Sequence, residues 1–342
     1  LTSIIIPDSV TIIGASAFHG CSNLANAVIG NGVTNIYGMA FVGCALTNAV
    51  IGNSVTYIGE IAFFDCFRDA NLVIGDGITN IGYPVIDFVN VVNLVLGRGF
   101  TKIQDGAFYR SCGMTNIVLP DSVTNIGALA FSGCGNLTSI IIPDSVTRFE
   151  SQAFSYSALT SILIPDSVTS MGNLVFDLCH SLTGITVSVS NIAFSSKDGV
   201  LFNQPQTALI TYPNGKTGSY SVPDGVTRIG NSAFHSCANL PGITIPTSVT
   251  DIGEAAFGYC TGLTSITVPN SVTNTGSGAF YECMGLTDLY FCGNAPVTGS
   301  STFEATPNVT IYYLLGTAGW PPVPDLWEGR PTALWLPKVL DD

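Results

Sequence analysis

The segment LTSIIIPDSVTIIGASAFHGC that opens the chain returns, little altered, from Leu137, Leu159 and Leu263. The Phe of its AF element falls at Phe18, Phe41, Phe63, Phe108, Phe131, Phe154, Phe176, Phe234, Phe257, Phe280 and Phe303, with Ile86 standing in once. Successive steps are 22 or 23 residues, except one of 58, which is a repeat of 23 plus 35 extra residues. A Pro or Gly that closes the first apolar stretch keeps the same pace through Pro7, Gly30, Gly52, Gly75, Gly97, Pro120, Pro143, Pro165, Pro223, Pro246 and Pro269. A unit this short cannot bury an apolar face alone. It must hide that face against the next copy, so the period predicts a solenoid.

Within one unit, Leu1, Ile4 and Ile6 share a face, and Pro7 ends the strand by removing a donor. Asp8 and Ser9 supply turn chemistry, Val10 and Ile13 make a second short apolar stretch, and Ala17 and Phe18 follow Gly14 inward. Stacked copies pair their first strands in parallel, about 4.8 Å apart. The chain has 342 residues, only 10 of them Lys or Arg against 23 Asp or Glu, for a net charge of −13. Nucleic acid requires clustered basic residues and an anionic membrane surface requires positive charge, so neither partner fits. No apolar run approaches the ~20 residues of a spanning helix, which excludes membrane insertion by that route. The regular placement of apolar residues excludes disorder.

The unit pattern LxxIxIP followed by SVTxIGxxAFxxC resembles the BspA-like, Treponema-type leucine-rich repeat over residues 1–290. The general leucine-rich pattern puts Asn or Cys three positions past the third apolar residue. This chain has Ser9, Gly32, Ser54, Gly77, Ser122 and Ser145 there, a departure that fits the BspA-like subclass. The resemblance implies a mostly β leucine-rich-repeat solenoid of about a dozen 22–23-residue repeats. One side is a parallel sheet, and the other is made of short strands and single helical turns. It also implies a bacterial secreted or cell-surface protein that binds macromolecules of a host or neighbouring cell.

Two segments leave the array. Residues 188–220 contain Gly199–Val200–Leu201–Phe202 and Ala208–Leu209–Ile210–Thr211–Tyr212 around a polar turn, read as a hairpin-like insertion that is either a decorated repeat or a binding knob. Residues 291–342 lose the period after Phe303 and hold Trp320, Trp327 and Trp335, which reads as an irregular aromatic-rich cap. Leu1 already occupies a core position, so the expectation is a piece of a longer chain, or a first strand that docks on an upstream domain or a second copy.

Nine of the ten cysteines fall in register: Cys21, Cys44, Cys66, Cys134, Cys179, Cys237, Cys260 and Cys283 three residues after the anchor, and Cys112 four after. They read as a buried structural ladder, with disulfides between adjacent rungs or a metal as alternatives; no CxxC pair supplies zinc spacing. Cys292 stands in the Pro/Gly slot and is expected to be the reachable thiol. His19 and His235 share a repeat position and His180 follows a ladder Cys, so repeat equivalence accounts for them. Turn residues Asp8, Asp121, Asp144, Asp166 and Asp224 alternate with Asn31, Asn53, Arg98, Thr247 and Asn270, which favours turn chemistry over calcium. With no GxSxG, HExxH or P-loop, no catalytic residue, metal site or cofactor is assigned.

Strand side chains alternate, so the residues between core positions face outward. That stripe reads Ile5, Val28, Val50, Val73, Val95, Val118, Ile141 and Leu163, and then becomes polar at Thr186, Ser221, Thr244 and Thr267 before Tyr290. Its neighbour reads Ser3, Asn26, Asn48, Asn71, Asn93, Asn116, Ser139 and Ser161. Eight consecutive aliphatic rungs serve either as a partner surface or as packing for the sheet itself or a covering segment. The function expected is a non-enzymatic scaffold for protein–protein or cell-surface recognition, adhesin-like, with a protein or glycan as partner. The alternative is a structural protein that self-associates end to end through its first-repeat edge. Its expected place is extracellular or at the cell surface.

Overall fold

A computed structural model describes residues 1–79 and 88–336; the anchor substitute Ile86 lies outside them. The described chain forms two compact units. The first is Leu1–His180 with Ser188–Asn191, and the second is Ser181–Val187 with Ile192 onward.

Unit 1 carries a six-stranded parallel sheet of Ser3–Ile6, Asn26–Ile29, Leu46–Ile51, Phe67–Ile74, Val91–Leu96 and Asn116–Val118. The register follows the repeat. Ser3 pairs with Asn26, Asn26 with Asn48, Asn48 with Asn71, Asn71 with Asn93, and Asn93 with Asn116. Leu137–Pro143, although nearly identical to the opening segment, forms no ladder; it keeps the alternation, with Ile140 and Ile142 buried and Ile141 exposed. Gly at the strand-closing slot lets backbones come close. Gly30 and Gly75 each donate to the preceding rung at 2.9 Å, and a Cβ on Gly52 would lie 2.6 Å from the Gly30 carbonyl oxygen. A second set of two-residue strands, among them Ile12–Ile13, Asn35–Ile36 and Tyr57–Ile58, pairs in parallel across the unit from the first.

The anchor rings stack through the interior. Centroids are 5.0 Å apart for Phe18 and Phe41, 5.2 Å for Phe108 and Phe131, and 5.4 Å for Phe131 and Phe154. Where Ile86 replaces the anchor, Phe88 supplies a ring edge-on to Phe108, at 4.9 Å.

The side opposite the sheet differs from expectation: no helix occurs among the described residues. In place of single helical turns, the segment around each anchor is a run of overlapping turns. Ala17, His19 and Cys21 donate to Gly14, Ser16 and Phe18 within the repeat, while Ser16, Phe18 and Gly20 donate to Gly38, Ala40 and Val42 of the next. Every second N–H is committed to a neighbour, which a helix, with its donors directed along its own axis, would forbid. The alternation requires left-handed residues two before and two after the anchor, such as Ser16 (φ 56°) and Gly20 (φ 70°), or Gln152 (φ 57°) and Tyr156 (φ 56°). Non-glycine residues in that region are strained singly. Here the ladder of cross-repeat bonds offsets the strain.

Unit 2 repeats the scheme. Phe234, Phe257, Phe280 and Phe303 stack at 5.1, 5.4 and 5.6 Å. Within it, Val200–Asn203 and Ala208–Thr211 pair antiparallel, and Phe194–Lys197 adds a third antiparallel strand. Ala208–Thr211 then pairs in parallel with Arg228–Ile229, so the insertion supplies the first rung of that ladder. After Phe303 the sequence loses its period, yet the sheet continues. Thr310–Leu314 pairs with Asp288–Phe291, and Arg330–Trp335 pairs with Thr310–Leu314. Trp320 and Trp327 close the core against Phe291, Tyr313 and Phe303.

A candidate partner-binding groove on the outer sheet face

The outward stripe of unit 1 is open to solvent at all eight positions, from 38% exposure at Val50 and Val73 to 85% at Ile141. Register places Ile5, Val28, Val50, Val73, Val95 and Val118 side by side on successive strands. These six form the floor of a groove of about 920 Å³; Ile141 and Leu163 lie outside its lining. The groove's rim is Asp8, Asn31, Asn53, Asp76, Arg98 and Asp121, one residue after each strand-closing Pro or Gly.

The rim is built by a hydrogen-bond relay. Asp8 Oδ1 accepts the Asn31 amide N–H at 2.7 Å, Asn31 Oδ1 that of Asn53 at 2.8 Å, Asn53 Oδ1 that of Asp76 at 3.1 Å, and Asp76 Oδ1 that of Arg98 at 2.7 Å. Each position needs one side-chain carbonyl oxygen, which explains why Asp and Asn interchange there. Arg98 has no acceptor, and the relay ends. On the other side of the floor, the Asn48, Asn71 and Asn93 amides donate to Asn26, Asn48 and Asn71 at 3.0, 3.1 and 2.6 Å. One side-chain oxygen of each relay residue and one side-chain amide of Asn48, Asn71 and Asn93 are thus committed to a neighbouring rung. A partner can therefore bury the aliphatic floor without stripping these groups of hydrogen bonds.

The cysteines fit the ladder only in part. All ten are thiols. Cys44, Cys134, Cys179, Cys260 and Cys283 are buried, and each Sγ donates to the anchor carbonyl of the preceding repeat: Phe18, Phe108, Phe154, Phe234 and Phe257, at 2.9 to 3.3 Å. Cys66 and Cys237 are buried as well, whereas Cys21, in the first repeat, is only partly buried. Cys112 does not belong to the ladder. It is exposed, because the slot three residues after Phe108 is filled by buried Ser111. In the last repeat Thr306 takes the slot and its hydroxyl donates to the Phe280 carbonyl, while Ser157 holds it in another. The slot thus calls for a small side chain with a donor and not merely a small hydrophobe. Ser157 and Thr306 carried that signal in the sequence. Burial pushes the thiols up, Cys44 and Cys179 to about 11 and Cys134 and Cys283 to about 12. Cys292, expected to be the reachable thiol, is partly buried, and its pKa is raised by burial; the exposed thiol is Cys112.

His19 and His180 are exposed on separate repeats, and the His235 ring sits edge-on to Tyr259 with Nδ1 2.9 Å from the Ser236 hydroxyl. Among the described residues, no group of three or more His, Cys, Asp or Glu is placed to hold a metal, and no helix is long and apolar enough to cross a membrane.

Solved structures share this architecture. The pneumococcal vaccine antigen PcpA aligns over 95% of this chain and 73% of its own, with TM-score 0.58 and 20% identity. A leucine-rich repeat protein from Bacteroides ovatus aligns over 98% and 84%, with TM-score 0.55 and 22% identity. A leucine-rich cell surface protein from Faecalibacterium prausnitzii aligns over 92% and 79%, with TM-score 0.52 and 26% identity. No curated protein sequence matches the chain. The model of the BspA type leucine-rich repeat region matches residues 1–111, 101–217 and 211–316. The chain is a member of the BspA-type leucine-rich repeat family.

Proposed function

We propose that this chain is a non-catalytic recognition scaffold, displayed outside the cell, that holds a protein partner in the groove of unit 1. One observation carries the reading: six aliphatic side chains in strand register form a solvent-open floor flanked by two rows of polar side chains bonded from rung to rung. Floors of this kind gain free energy from apolar burial, at roughly 25 cal/mol per Å², and need few new hydrogen bonds. The rim holds Asp8, Asp76 and Asp121 against one cation, Arg98, on a chain of net charge −13. The fitting partner is therefore a protein with an apolar ridge flanked by Lys or Arg. An extracellular setting is supported by the likeness to a leucine-rich cell surface protein.

The test is a binding screen of the purified chain against cell-surface and matrix proteins, repeated with Val73→Lys/Val95→Lys/Val118→Lys. The triple variant should lose the partner while its melting curve stays put, since all three side chains are exposed. Unchanged binding removes the groove from the account. Growth of the sedimentation coefficient with concentration, equal in both proteins, would instead favour end-to-end assembly through the edge of Ser3–Ile6.

A further inference from the structure

The outer sheet face of unit 2 has a different chemistry. The row equivalent to the aliphatic floor is Ser221, Thr244, Thr267, Tyr290 and Tyr312, paired rung by rung. The two tyrosine rings stack at 4.8 Å, and the Trp335 indole leans on Tyr290, 5.1 Å away at 52°. In register, the rung neighbours of the pair are small, Thr267 on one side and Ala333 on the other. Trp335 takes no part in closing the core, which Trp320 and Trp327 accomplish. Beside the rings, Asp288 is partly exposed, and its Oδ2 accepts the Thr287 hydroxyl at 2.6 Å. The Tyr312 hydroxyl has its pKa raised by burial and then by the nearby Asp288 charge. No Lys or Arg occurs in the strands Ser265–Val268, Asp288–Phe291 or Thr310–Leu314.

We propose that this face binds a neutral oligosaccharide, with sugar rings on the shelf of Tyr290, Tyr312 and Trp335 and sugar hydroxyls on Asp288 and the Thr267–Thr244–Ser221 row. Aromatic faces are electron-rich and apolar, complementary to the C–H side of a sugar ring. A carboxylate held by one hydroxyl donor keeps lone pairs free for charge-assisted bonds to sugar hydroxyls. Arg330, on the strand of Trp335, donates to the Phe303 carbonyl, and the other three strands hold no basic residue, which disfavours an anionic glycan. The hydroxyl row, advancing about 4.8 Å per rung, continues the site at a step comparable with one sugar unit. A lone cationic group would use the rings and the carboxylate but none of that row. The site is separate from the unit 1 groove and does not depend on it.

The experiment titrates the full chain with cello-, malto- and chito-oligosaccharides, followed by calorimetry and by tryptophan fluorescence. At least one series should bind and shift the emission of Trp335. Asp288→Asn should weaken binding about tenfold, the scale of one charge-assisted hydrogen bond, and Trp335→Ala by as much or more, both with unchanged melting curves. Trp335→Phe keeps an aromatic face; it should hold calorimetric affinity within a few-fold while silencing the emission change. The triple lysine variant of the groove should bind sugar as the parent does, so the two sites fail independently. Absence of binding at millimolar sugar, binding indifferent to Asp288→Asn and Trp335→Ala, or preference for an arginine-rich peptide would each overturn the proposal.

Discussion

The two units share an interior and differ in what they show to solvent. In both, anchor Phe rings stack about 5 to 6 Å apart and a small donor side chain bonds the preceding anchor's carbonyl. Outside, unit 1 presents Val28, Val50, Val73, Val95 and Val118, whereas unit 2 presents Ser221, Thr244, Thr267, Tyr290 and Tyr312 on the equivalent row. Stacking constrains inward residues because each must fit the copy before and after it. Outward residues are free of that constraint from the interior. The outward stripe is therefore where the two units can differ while keeping one fold.

The largest effect that tests the shared interior is alkaline unfolding. Thiol pKa values rise from 9.0 to about 11 at Cys44 and Cys179 and about 12 at Cys134 and Cys283, through burial, and Cys260 rises well above its ordinary value. Folded thiols hold their protons to higher pH than unfolded ones. Their contribution is fully present below about pH 9 and is lost as pH rises through the 11–12 range. Both units should lose stability there, read by circular dichroism against pH. One unit that stays folded through pH 12 breaks the equivalence. In the native protein at pH 8, a thiol reagent should modify Cys112 first.

Single ring deletions come next. Phe131→Ala and Phe257→Ala each remove a fully buried ring lying between two others, at an expected cost of about 3–5 kcal/mol. Phe18→Ala should cost less, because that ring is only partly buried and stacks on one neighbour, Phe41. Equilibrium urea unfolding measures all three, and equal losses would show that the end ring is as deeply packed as the interior ones. Asn191→Ala is smaller still. The buried Asn191 amide donates to the Pro165 and Val168 carbonyls at 2.7 and 2.8 Å, and orphaning them should cost about 1–3 kcal/mol. Faster amide hydrogen exchange in unit 1, with unit 2 unchanged, is the expected signature.

The fold was legible wherever the repeat imposed it. The spacing of Phe anchors and of the stripe at Ile5 and Val28 translates directly into stacking and register, because a parallel ladder converts sequence offset into position. Two kinds of information were not. The turns around Phe18 are not helical because half their donors bond the next repeat, and that commitment between repeats leaves no local signature in one copy. Cys112 counted as a ladder residue until Ser111 proved to fill the slot, since a one-residue shift is invisible when residue type is the only guide. For the candidate sites, the aliphatic floor could be read from alternation alone. The rim relay from Asp8 to Arg98 was present in the sequence as one Asp or Asn per repeat, but its purpose depends on which neighbouring N–H it meets. The aromatic shelf was hidden, because Tyr312 and Trp335 lie where the period has lapsed while the sheet has not.

The smallest stability effect sharpens the comparison most. Val73→Thr/Val95→Thr/Val118→Thr gives unit 1 the hydroxyl stripe of unit 2 at positions of 38%, 39% and 48% exposure. Thr keeps the β-branched shape that suits a strand. Its hydroxyl stays in water, so each exchange should move stability by no more than about 0.5 kcal/mol. The groove, by contrast, loses its apolar floor. An apolar fluorescent dye such as 1-anilinonaphthalene-8-sulfonate should bind the parent chain, and bind the variant several-fold more weakly at an unchanged melting temperature. If the variant melted several degrees lower, the stripe would be packing for the sheet, and its aliphatic character would need no partner to account for it. If dye binding and melting both held, the exposed valines would not be the apolar surface that a partner meets. Only a separation of the two readouts leaves the stripe free of structural duty and assigns it to recognition.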